Sequence, residues 1–335
     1  MRIGIIGSGS WATALAKIVT DNGHTVHWWI RNEETIQYFK KRRHNPHYLS
    51  SVYFDLSQIH FYSSLPELIA SADCIVVAVP AAFIHSLLGE LPVDIFQDKK
   101  IISAVKGILP EQNELLNQYL ERVFSFPLSE YFTLLGPCHA EEVAAEKLSY
   151  LTLSGTDKNA IEPLAAIFSN EYVFTHINTD IWGVQYAAVL KNIYALGAGI
   201  VHGLEYGDNF LSVFISNAAK EVVKFLDAMD KRRDAHTDTL SDYAVSVYLG
   251  DLLVTCYSLH SRNRTFGNMI GKGYSVTAAR LEFNMVAEGY YAARCIHSLN
   301  KQLSCDMPIA KTIYEILWNQ LPAVNGIHSL ESQLV

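Results

Sequence analysis

The sequence predicts an α/β fold in which a doubly wound, mostly parallel sheet precedes an all-helical domain. Within residues 1–21, a short apolar strand, a glycine turn and a helix with apolar spacing follow one another. Continuous apolar runs, which are typical of parallel strands buried on both faces, occur at 74–79, 101–105 and 132–135. Beyond residue 181, apolar residues recur at helical spacing over 182–202, 209–229 and 240–258, and in shorter segments to the C-terminus.

The glycine turn, Gly7-Ser8-Gly9-Ser10-Trp11-Ala12, lies between the strand of residues 2–6 and the helix. Gly7 permits a tight turn, Gly9 lets the backbone approach a pyrophosphate, and the small Ala12 lets helix and strand pack closely. A glycine-rich turn of another α/β protein is the alternative, but the strand–turn–helix context favours a Rossmann-type dinucleotide site. We therefore predict a dinucleotide-binding domain over 1–180 and a helical substrate domain over 181–335.

Arg31 follows the second predicted strand, at 25–30, where a Rossmann unit reads the ribose of its cofactor. An acidic residue there would favour NAD, whereas Arg31 can pair with a 2′-phosphate. The sequence therefore leaves both NADH and NADPH open as cofactors.

Three of the predicted strands end at residues that we expect to share one crevice, because ligands gather beyond the carboxyl ends of parallel strands. These residues are Pro80, Lys106 and Gly136. Lys106 is the functional candidate among them, and a plain surface lysine is the alternative. Two further strands are predicted at 150–154 and 172–177.

Composition limits the partners and the compartment. The chain has 335 residues, of which 50% are hydrophobic and 18% charged, so it is long enough for two globular domains. Its net charge of −8 argues against nucleic acid as the main partner, and we interpret the basic run at 40–44 as cations that complement a helix C-terminus.

Five cysteines without a C-x-x-C pair indicate a reducing, cytoplasmic setting. We expect no membrane span, and the thirteen histidines show no metal-ligand spacing.

Two charged residues enter apolar helical segments of the second predicted domain. Lys191 interrupts the apolar stretch 186–201, and Asp251 enters a later one. Buried charges need partners, so we predict that Lys191 and Asp251 pair. The donor cluster Ser261-Arg262-Asn263-Arg264 that follows suits a phosphate or a carboxylate.

Taken together, these motifs resemble the bacterial-type NAD(P)-dependent glycerol-3-phosphate dehydrogenases over nearly the whole chain. The matching pieces, in the family's order, are Gly7-Ser8-Gly9-Ser10-Trp11, Asn45-Pro46-His47-Tyr48-Leu49, Lys106-Gly107, Gly136-Pro137-Cys138-His139-Ala140-Glu141-Glu142, Leu190-Lys191-Asn192, Gly250-Asp251-Leu252 and Ser261-Arg262-Asn263-Arg264. The resemblance implies a Rossmann domain followed by a helical substrate domain, which the residue pattern also predicts.

The resemblance further implies roles for individual positions. Besides Gly7 and Gly9 of the turn, the residues that would line the cofactor are Ser10, Trp11, Arg31, Tyr48, Lys106, Ala140, Arg262, Val286 and Glu288. Those that would hold the triose phosphate are Lys106, Gly136, Cys138, Lys191, Asp251, Ser261, Arg262 and Asn263. Lys191 matches the family's catalytic lysine, and Lys106 and Asp251 would assist it.

These residue types suit the reduction of dihydroxyacetone phosphate to glycerol 3-phosphate, a precursor for phospholipid synthesis. Hydride addition builds negative charge on the carbonyl oxygen, where the Lys191 ammonium can stabilise it and donate a proton. Asp251 and Asn192 would orient Lys191, and Arg262 with Asn263 would clamp the phosphate.

Three positions depart from the family. Ala12 replaces a glycine, Cys138 replaces a serine with a weaker donor, and the run 244–249 replaces a glycine-rich segment before Asp251.

Two other functions stay open on the sequence alone. The nearer rival is a related two-domain 3-hydroxy acid dehydrogenase or ketoacid reductase with a catalytic lysine, in which Arg262 binds a carboxylate. A cofactor-binding redox sensor or scaffold without turnover is the other. The oligomeric state is also left open, a homodimer included.

Overall fold

The computed structural model describes residues 1–232, 243, 245–283 and 286–335. The chain forms two compact units. The first comprises residues 1–105 and 115–181, and the second comprises residues 106–114 and 182–335. The second unit therefore includes a short segment that follows a strand of the first.

An eight-stranded sheet forms the centre of the first unit, and it confirms the predicted doubly wound, mostly parallel sheet. Its strands are β1 (Ile3–Ile6), β2 (Val26–Trp29), β3 (Ile59–Tyr62), β4 (Cys74–Val77), β5 (Lys100–Ser103), β6 (Tyr131–Leu135), β7 (Ser149–Ser154) and β8 (Val173–Asn178). The strand order is β3-β2-β1-β4-β5-β6-β7-β8, and only the β6–β7 pair is antiparallel. The sequence analysis did not identify β3, whose four residues pair with β2 at the edge of the sheet.

Seven helices accompany the sheet in the first unit. They are α1 (Ser10–Asp21), α2 (Glu33–Arg42), α3 (Leu65–Ser71), α4 (Ile84–Leu88), α5 (Leu116–Phe124), α6 (Ala140–Ala144) and α7 (Lys158–Ile167). Lys40, Lys41 and Arg42 of the basic run lie in the last turn of α2, where their charges complement the helix dipole as expected. The α2 helix also packs on β2 through the edge-to-face contact of Phe39 with Trp28, at 5.2 Å between ring centroids.

The second unit is helical in its described part, as predicted for the C-terminal half of the chain. Its helices are α8 (Ile181–Gly203), α9 (Asp208–Arg232), α10 (Asp251–Tyr257), α11 (Arg262–Gly271), α12 (Val276–Glu282), α13 (Glu288–Leu303), α14 (Pro308–Trp318) and α15 (Ala323–Leu330). A π-helical turn at Ser246–Gly250 leads directly into α10. Of the predicted helical segment 240–258, residues 240–242 and 244 lie outside the described residues.

One helix of the second unit has the length and the apolar composition of a membrane-spanning helix. Among the described residues, α8 alone is long and apolar enough to cross a membrane by length and composition. Its most apolar window is completely buried inside the protein, which is typical of the central helix of a protein core.

Close backbone contact joins α8 to α11. A Cβ atom on Gly199 would lie 2.0 Å from the carbonyl oxygen of Arg264, and one on Gly267 would lie 1.9 Å from that of Leu196. Gly203 and Gly271 meet in the same way one turn further along. Only glycine permits this approach, which holds α11 against the C-terminal part of α8.

A buried carboxylate ties three helices of the second unit together. Glu221 of α9 accepts hydrogen bonds from the Tyr194 hydroxyl of α8 at 3.0 Å, and from the backbone N–H groups of Ile309 and Ala310 at 2.6 and 3.0 Å. Burial raises the pKa of Glu221 to about 7. The first N–H groups of α14 are therefore already satisfied by this side chain.

Candidate functional site

The glycine turn of the first unit has the geometry of a nucleotide cradle. Gly7 adopts a φ of 128°, and a Cβ atom there would lie 2.5 Å from the carbonyl oxygen of Ala78, so the turn requires glycine. Gly9 forms the N-cap of α1 without a side-chain cap, and a Cβ atom on it would meet nothing within 4 Å. The open space beside Gly9 and the start of α1 thus fits a dinucleotide pyrophosphate.

Two buried side chains that the sequence analysis did not single out hold this turn. The Trp28 indole N–H donates to the carbonyl of Gly7 at 2.7 Å. The Asn45 amide donates to the carbonyl of Ser8 at 3.0 Å and to the Thr13 hydroxyl at 2.9 Å. The Asn45 side-chain oxygen accepts from the backbone N–H groups of the next residues, including Tyr48 at 3.2 Å. The motif that begins at Asn45 therefore supports the turn and fixes the position of Tyr48.

The other predicted cofactor residues of the first unit lie at element ends. Ser10 and Trp11 begin α1, and Ala140 begins α6, which packs against α1. Arg31 is exposed two residues beyond β2, directly before the residue that caps α2. Each position lies at the carboxyl end of a strand or the start of a helix, where Rossmann domains bind ligands.

Lys191 and Asp251 form a buried ion pair in the second unit, which confirms the predicted pairing. The Lys191 ammonium contacts the Oδ2 atom of Asp251, and the two side chains are only 4% and 2% exposed. Asp251 begins α10, directly after the π-helical turn at Ser246–Gly250. This pairing stabilises a charged lysine in the apolar interior.

Cys256 lies near this pair, and its thiol is unreactive at neutral pH. It is completely buried, and burial raises the pKa of its thiol to about 12, although Lys191 and Arg264 oppose the shift. The thiol therefore stays protonated at neutral pH and is not a candidate nucleophile.

A chain of hydrogen bonds runs from the Lys106 carbonyl through the side chains of Asn192 and Asn263 to the backbone of Gly289. The Asn192 amide donates to the carbonyl of Lys106 at 2.6 Å, and the Asn263 amide donates to the Asn192 side-chain oxygen at 2.9 Å. The backbone N–H of Gly289 then donates to the Asn263 side-chain oxygen at 2.9 Å. Asn192 thus positions the Lys106 backbone. The Asn263 amide, expected to clamp a phosphate, already bridges α8 and α13.

The start of α11 presents the remaining donors. Ser261 is its N-cap, and the Ser261 hydroxyl accepts from the backbone N–H of Arg264 at 3.3 Å. Arg262 is the first residue of the helix, so a positive side chain and the positive end of a helix dipole coincide. Glu288 begins α13 beside the bridged Gly289, and Val286 lies two residues earlier.

Two predicted substrate residues belong to the first unit, in the loop after β6. Gly136 has a φ of 138°, and a Cβ atom on it would lie 2.7 Å from the carbonyl oxygen of Tyr150. The Cys138 thiol donates to the carbonyl of Gly136 at 3.3 Å and is 6% exposed. The second unit carries the other predicted substrate residues, which are Lys106, Lys191, Asp251, Ser261, Arg262 and Asn263.

Sequence models of one enzyme family match both halves of the chain. The sequence model of the NAD-dependent glycerol-3-phosphate dehydrogenase N-terminus matches residues 2–161, and that of the C-terminus matches residues 180–328. Glycerol-3-phosphate dehydrogenase [NAD(P)+] of Chlorobium chlorochromatii is 34% identical over 331 residues, which cover 98% of this chain and 97% of the relative. The enzyme of that name from Bacillus mycoides is 33% identical over 98% of this chain and 95% of its own length.

A solved structure agrees with this assignment. The glycerol-3-phosphate dehydrogenase of Coxiella burnetii superposes with a TM-score of 0.88 at 24% sequence identity, with 98% of each chain covered. At this level of identity the likeness shows the fold, and the two family models with the close relatives show the family. The chain belongs to the NAD-dependent glycerol-3-phosphate dehydrogenase family.

Proposed function

We propose that this chain reversibly transfers a hydride between NAD(P)H and dihydroxyacetone phosphate, with sn-glycerol 3-phosphate for phospholipid synthesis as the product. The buried Lys191–Asp251 ion pair is the observation that carries the proposal. A lysine held charged in an apolar interior is suited to a carbonyl oxygen on which negative charge develops.

Lys191 is the proposed general acid. Its ammonium group donates a proton to the carbonyl oxygen during reduction and, as a neutral amine, accepts it during oxidation. NAD(P)H, when bound, supplies the hydride. Asp251 stabilises the charged form of Lys191, which would otherwise be an uncompensated charge in the interior, and it fixes the direction of the lysine side chain.

Lys106 is the proposed second cation of the site. Its carbonyl is held by Asn192, so the backbone from which its side chain extends is fixed. A positive charge near the substrate oxygens would lower the barrier electrostatically without a proton transfer. Ser261, Arg262 and Asn263 are proposed to receive the phosphate at the start of α11, with Arg262 as the main charged contact. Gly136 and Cys138 are proposed to complete the substrate loop.

The cofactor is proposed to bind along the glycine turn. Gly7 and Gly9 shape the cradle, Ser10 and Trp11 lie at the start of α1, and Arg31 reads the ribose. The further residues proposed for the cofactor are Tyr48, Lys106, Ala140, Arg262, Val286 and Glu288. Because Arg31 rather than an acid follows β2, we propose that NADPH is accepted as well as NADH.

The organisation of the chain follows from the same proposal. We propose residues 1–180 as the dinucleotide-binding domain and residues 181–335 as the substrate domain, with the segment 106–114 grouped with the second unit. We further propose a homodimer that acts in the cytoplasm. All five cysteines are free, which supports a reducing compartment.

The rival reductase of a 3-hydroxy acid or a ketoacid is not favoured, since the matching family models and close relatives carry the glycerol-3-phosphate dehydrogenase name over both halves of the chain. A cofactor-binding sensor without turnover would not need a buried lysine–aspartate pair, which is costly to desolvate unless it has a task.

The test is a spectrophotometric assay of the purified protein with NADH and with NADPH. Addition of dihydroxyacetone phosphate should lower the nicotinamide absorbance in proportion to enzyme, whereas pyruvate and ketopantoate should not. Turnover of ketopantoate with none of dihydroxyacetone phosphate would replace the proposal with the rival reductase. Cofactor binding without turnover of any of the three would support the sensor.

A further inference from the structure

Helix α6 of the first unit is short and connects to two groups of residues assigned above. It begins at Ala140, proposed for the cofactor, and directly follows the loop with Gly136 and Cys138, proposed for the substrate. The helix has five residues, and a helix of that length is not stable without contacts to the rest of the protein. Val143 is completely buried in the core of the first unit and fixes one face of α6. The position of the helix then depends on how its ends are held.

The C-terminal end of α6 has a glutamate where helices usually carry glycine. The backbone N–H of Glu146 donates to the carbonyl of Val143 at 3.0 Å. The next N–H, that of Lys147, donates to the carbonyl of Glu142 at 2.9 Å, and this pair of bonds closes a helix with a left-handed residue. Glu146 is that residue, with a φ of 55°. Its Cβ atom makes this conformation unfavourable, whereas glycine would adopt it freely, so a side-chain contact is expected to compensate.

The Glu146 carboxylate reaches helix α1. Its Oε1 atom accepts a hydrogen bond from the Lys17 ammonium at 2.9 Å, and the Lys17 side chain is only 10% exposed. The ammonium also contacts Asp21 and donates to the Tyr172 hydroxyl at 3.2 Å, and we call these four residues the Lys17 cluster. Burial acts to lower the pKa of Lys17, but its hydrogen bonds within the cluster outweigh burial and raise that pKa above its usual value. The buried ammonium is therefore charged at neutral pH.

Within the cluster, Lys17 is a fixed point and Glu146 is the link to α6. Asp21 lies one turn after Lys17 on α1, so it compensates the lysine charge within a single helix. The Tyr172 hydroxyl donates to Asp21 at 2.5 Å. Asn22, which ends α1, donates through its amide to two carbonyls at and just beyond the end of α7, at 2.8 and 3.0 Å. The Lys17–Glu146 bond thus connects α6 to a helix end that other contacts already anchor.

The two linked helices both begin at the proposed cofactor site. Helix α1 starts at the glycine turn after β1, and α6 starts shortly after β6. These strands run in the same direction, so both helices start at the carboxyl edge of the sheet. A bond near the C-terminal end of α6 restricts the angle between the two helices. It therefore also restricts where the first residue of α6 lies relative to the glycine turn.

We propose that Glu146 and Lys17 are positioning residues for the cofactor, which hold α6 against α1 and so set the place of Ala140 relative to the glycine turn. The inference rests on the proposed function, because the cofactor is assigned to Ala140 and the turn there. The Glu146 carboxylate is 63% exposed, so the link is worth at most about a fivefold change in an equilibrium constant. A measurable loss of cofactor affinity, rather than loss of the fold, is the expected result of removing it.

Glu146→Gly separates the link from the stability of the fold. Glycine removes the carboxylate and also relieves the left-handed backbone, so the midpoint of denaturant unfolding should stay close to that of the wild type. Ser125→Gly is the matched control, since Ser125 ends α5 in the same left-handed conformation, with a φ of 51°. Glu146→Gln keeps a side-chain oxygen that can accept from Lys17, and should rescue the link.

The first readout is hydrogen exchange of the cofactor-free protein, and the second is fluorescence titration with NADH. The amides of α6 should exchange about fivefold faster in Glu146→Gly than in the wild type or in Ser125→Gly. The dissociation constant of NADH should rise about threefold in Glu146→Gly, because α6 is in place in a smaller fraction of the molecules. Both values should stay within about twofold of the wild type in Glu146→Gln.

Unchanged exchange of α6 in Glu146→Gly would overturn the proposal. Faster exchange with unchanged NADH affinity would also overturn it, because the link would then be structural only, and so would equal effects of Ser125→Gly. Both readouts are taken without substrate, so an absence of dihydroxyacetone phosphate turnover bears only on the proposed function. A wild-type protein that binds no NADH would refute the proposed function and this inference with it.

Discussion

The first unit builds its candidate cofactor site from backbone, whereas the second builds its candidate catalytic site from buried side chains. At Gly7 and Gly9, the absence of a side chain shapes the cradle. At Lys191 and Asp251, two charges are desolvated and depend on each other. The backbone site therefore depends most on its glycines, and the charged site depends on the elements that hold the pair.

Substitution of Gly7 and of Gly9 tests whether the cofactor site depends on the backbone of the turn. Gly7→Val should destabilise the fold by about 3 kcal/mol or more and abolish cofactor binding, because φ is 128° and the Cβ would press on the Ala78 carbonyl. Gly9→Ala should fold with a loss of no more than about 1 kcal/mol, since no protein atom lies within 4 Å of its Cβ.

The two variants are compared by denaturant unfolding and by NADH fluorescence titration. Gly9→Ala should still weaken NADH by about tenfold or more, because its methyl group would project into the space that the pyrophosphate needs. Wild-type NADH affinity in a folded Gly9→Ala protein would show that the pyrophosphate lies elsewhere.

A substitution at Gly267 tests whether the catalytic site depends on the contact between α8 and α11. Gly267→Ala should cost about 1–3 kcal/mol in unfolding free energy and lower kcat, because the methyl group would separate α11 from α8 and shift Asn263 away from Asn192. Gly207→Ala, where nothing lies within 4 Å, is the matched control and should cost no more than about 1 kcal/mol. Equal losses in the two variants would refute the positioning role of the α8–α11 contact.

Substitution of Arg31 should change cofactor preference, with a smaller effect than the glycine substitutions. Arg31→Ala should raise the KM for NADPH about tenfold and leave the KM for NADH nearly unchanged, since one charge-assisted contact to the 2′-phosphate is lost. Lys40→Ala, in the last turn of α2, is the control and should change neither value. If Arg31→Ala affects both cofactors equally, Arg31 does not read the ribose.

The smallest expected effect concerns Cys138. Cys138→Ser should keep kcat within about twofold and leave the KM for dihydroxyacetone phosphate equal or lower, because a hydroxyl is a stronger donor than the thiol that now bonds the Gly136 carbonyl. Steady-state kinetics of the two proteins decide this. Complete inactivation would mean that the thiol has a chemical role.

The strands, the glycine turn and the long helices could be predicted because their signals are local. Residues 7–12 carry the turn in six consecutive positions, and the buried strands are continuous apolar runs. The edge strand β3 gave no such run, because its His60 is exposed and its aromatic residues are only half buried. Length and composition alone do not distinguish α8 from a membrane-spanning helix, because a buried core helix can share both with a spanning one.

The candidate site could be predicted only in part. The Lys191–Asp251 pair followed from two isolated charges in apolar segments. The engagement of Asn192 with Lys106 and of Asn263 with Gly289 could not be predicted, because both contacts depend on how segments that are distant in the chain pack together. The contact between α8 and α11 was not predicted either. The four glycines at 199, 203, 267 and 271, spaced by four on each helix, are the signal that would have predicted this contact.

The central claim is that Lys191 donates the proton to the reduced carbonyl, and Lys191→Met tests it most directly. Methionine keeps the length and apolar stem but removes the charge and the proton, which should lower kcat by roughly 10²–10⁴-fold. The NAD(P)H dissociation constant should be unchanged, because the pyrophosphate cradle belongs to the first unit. Both values are measured after circular dichroism and unfolding confirm that the variant is folded. A folded Lys191→Met protein that retains more than about a tenth of the wild-type kcat would contradict the account and transfer the role of acid to Lys106.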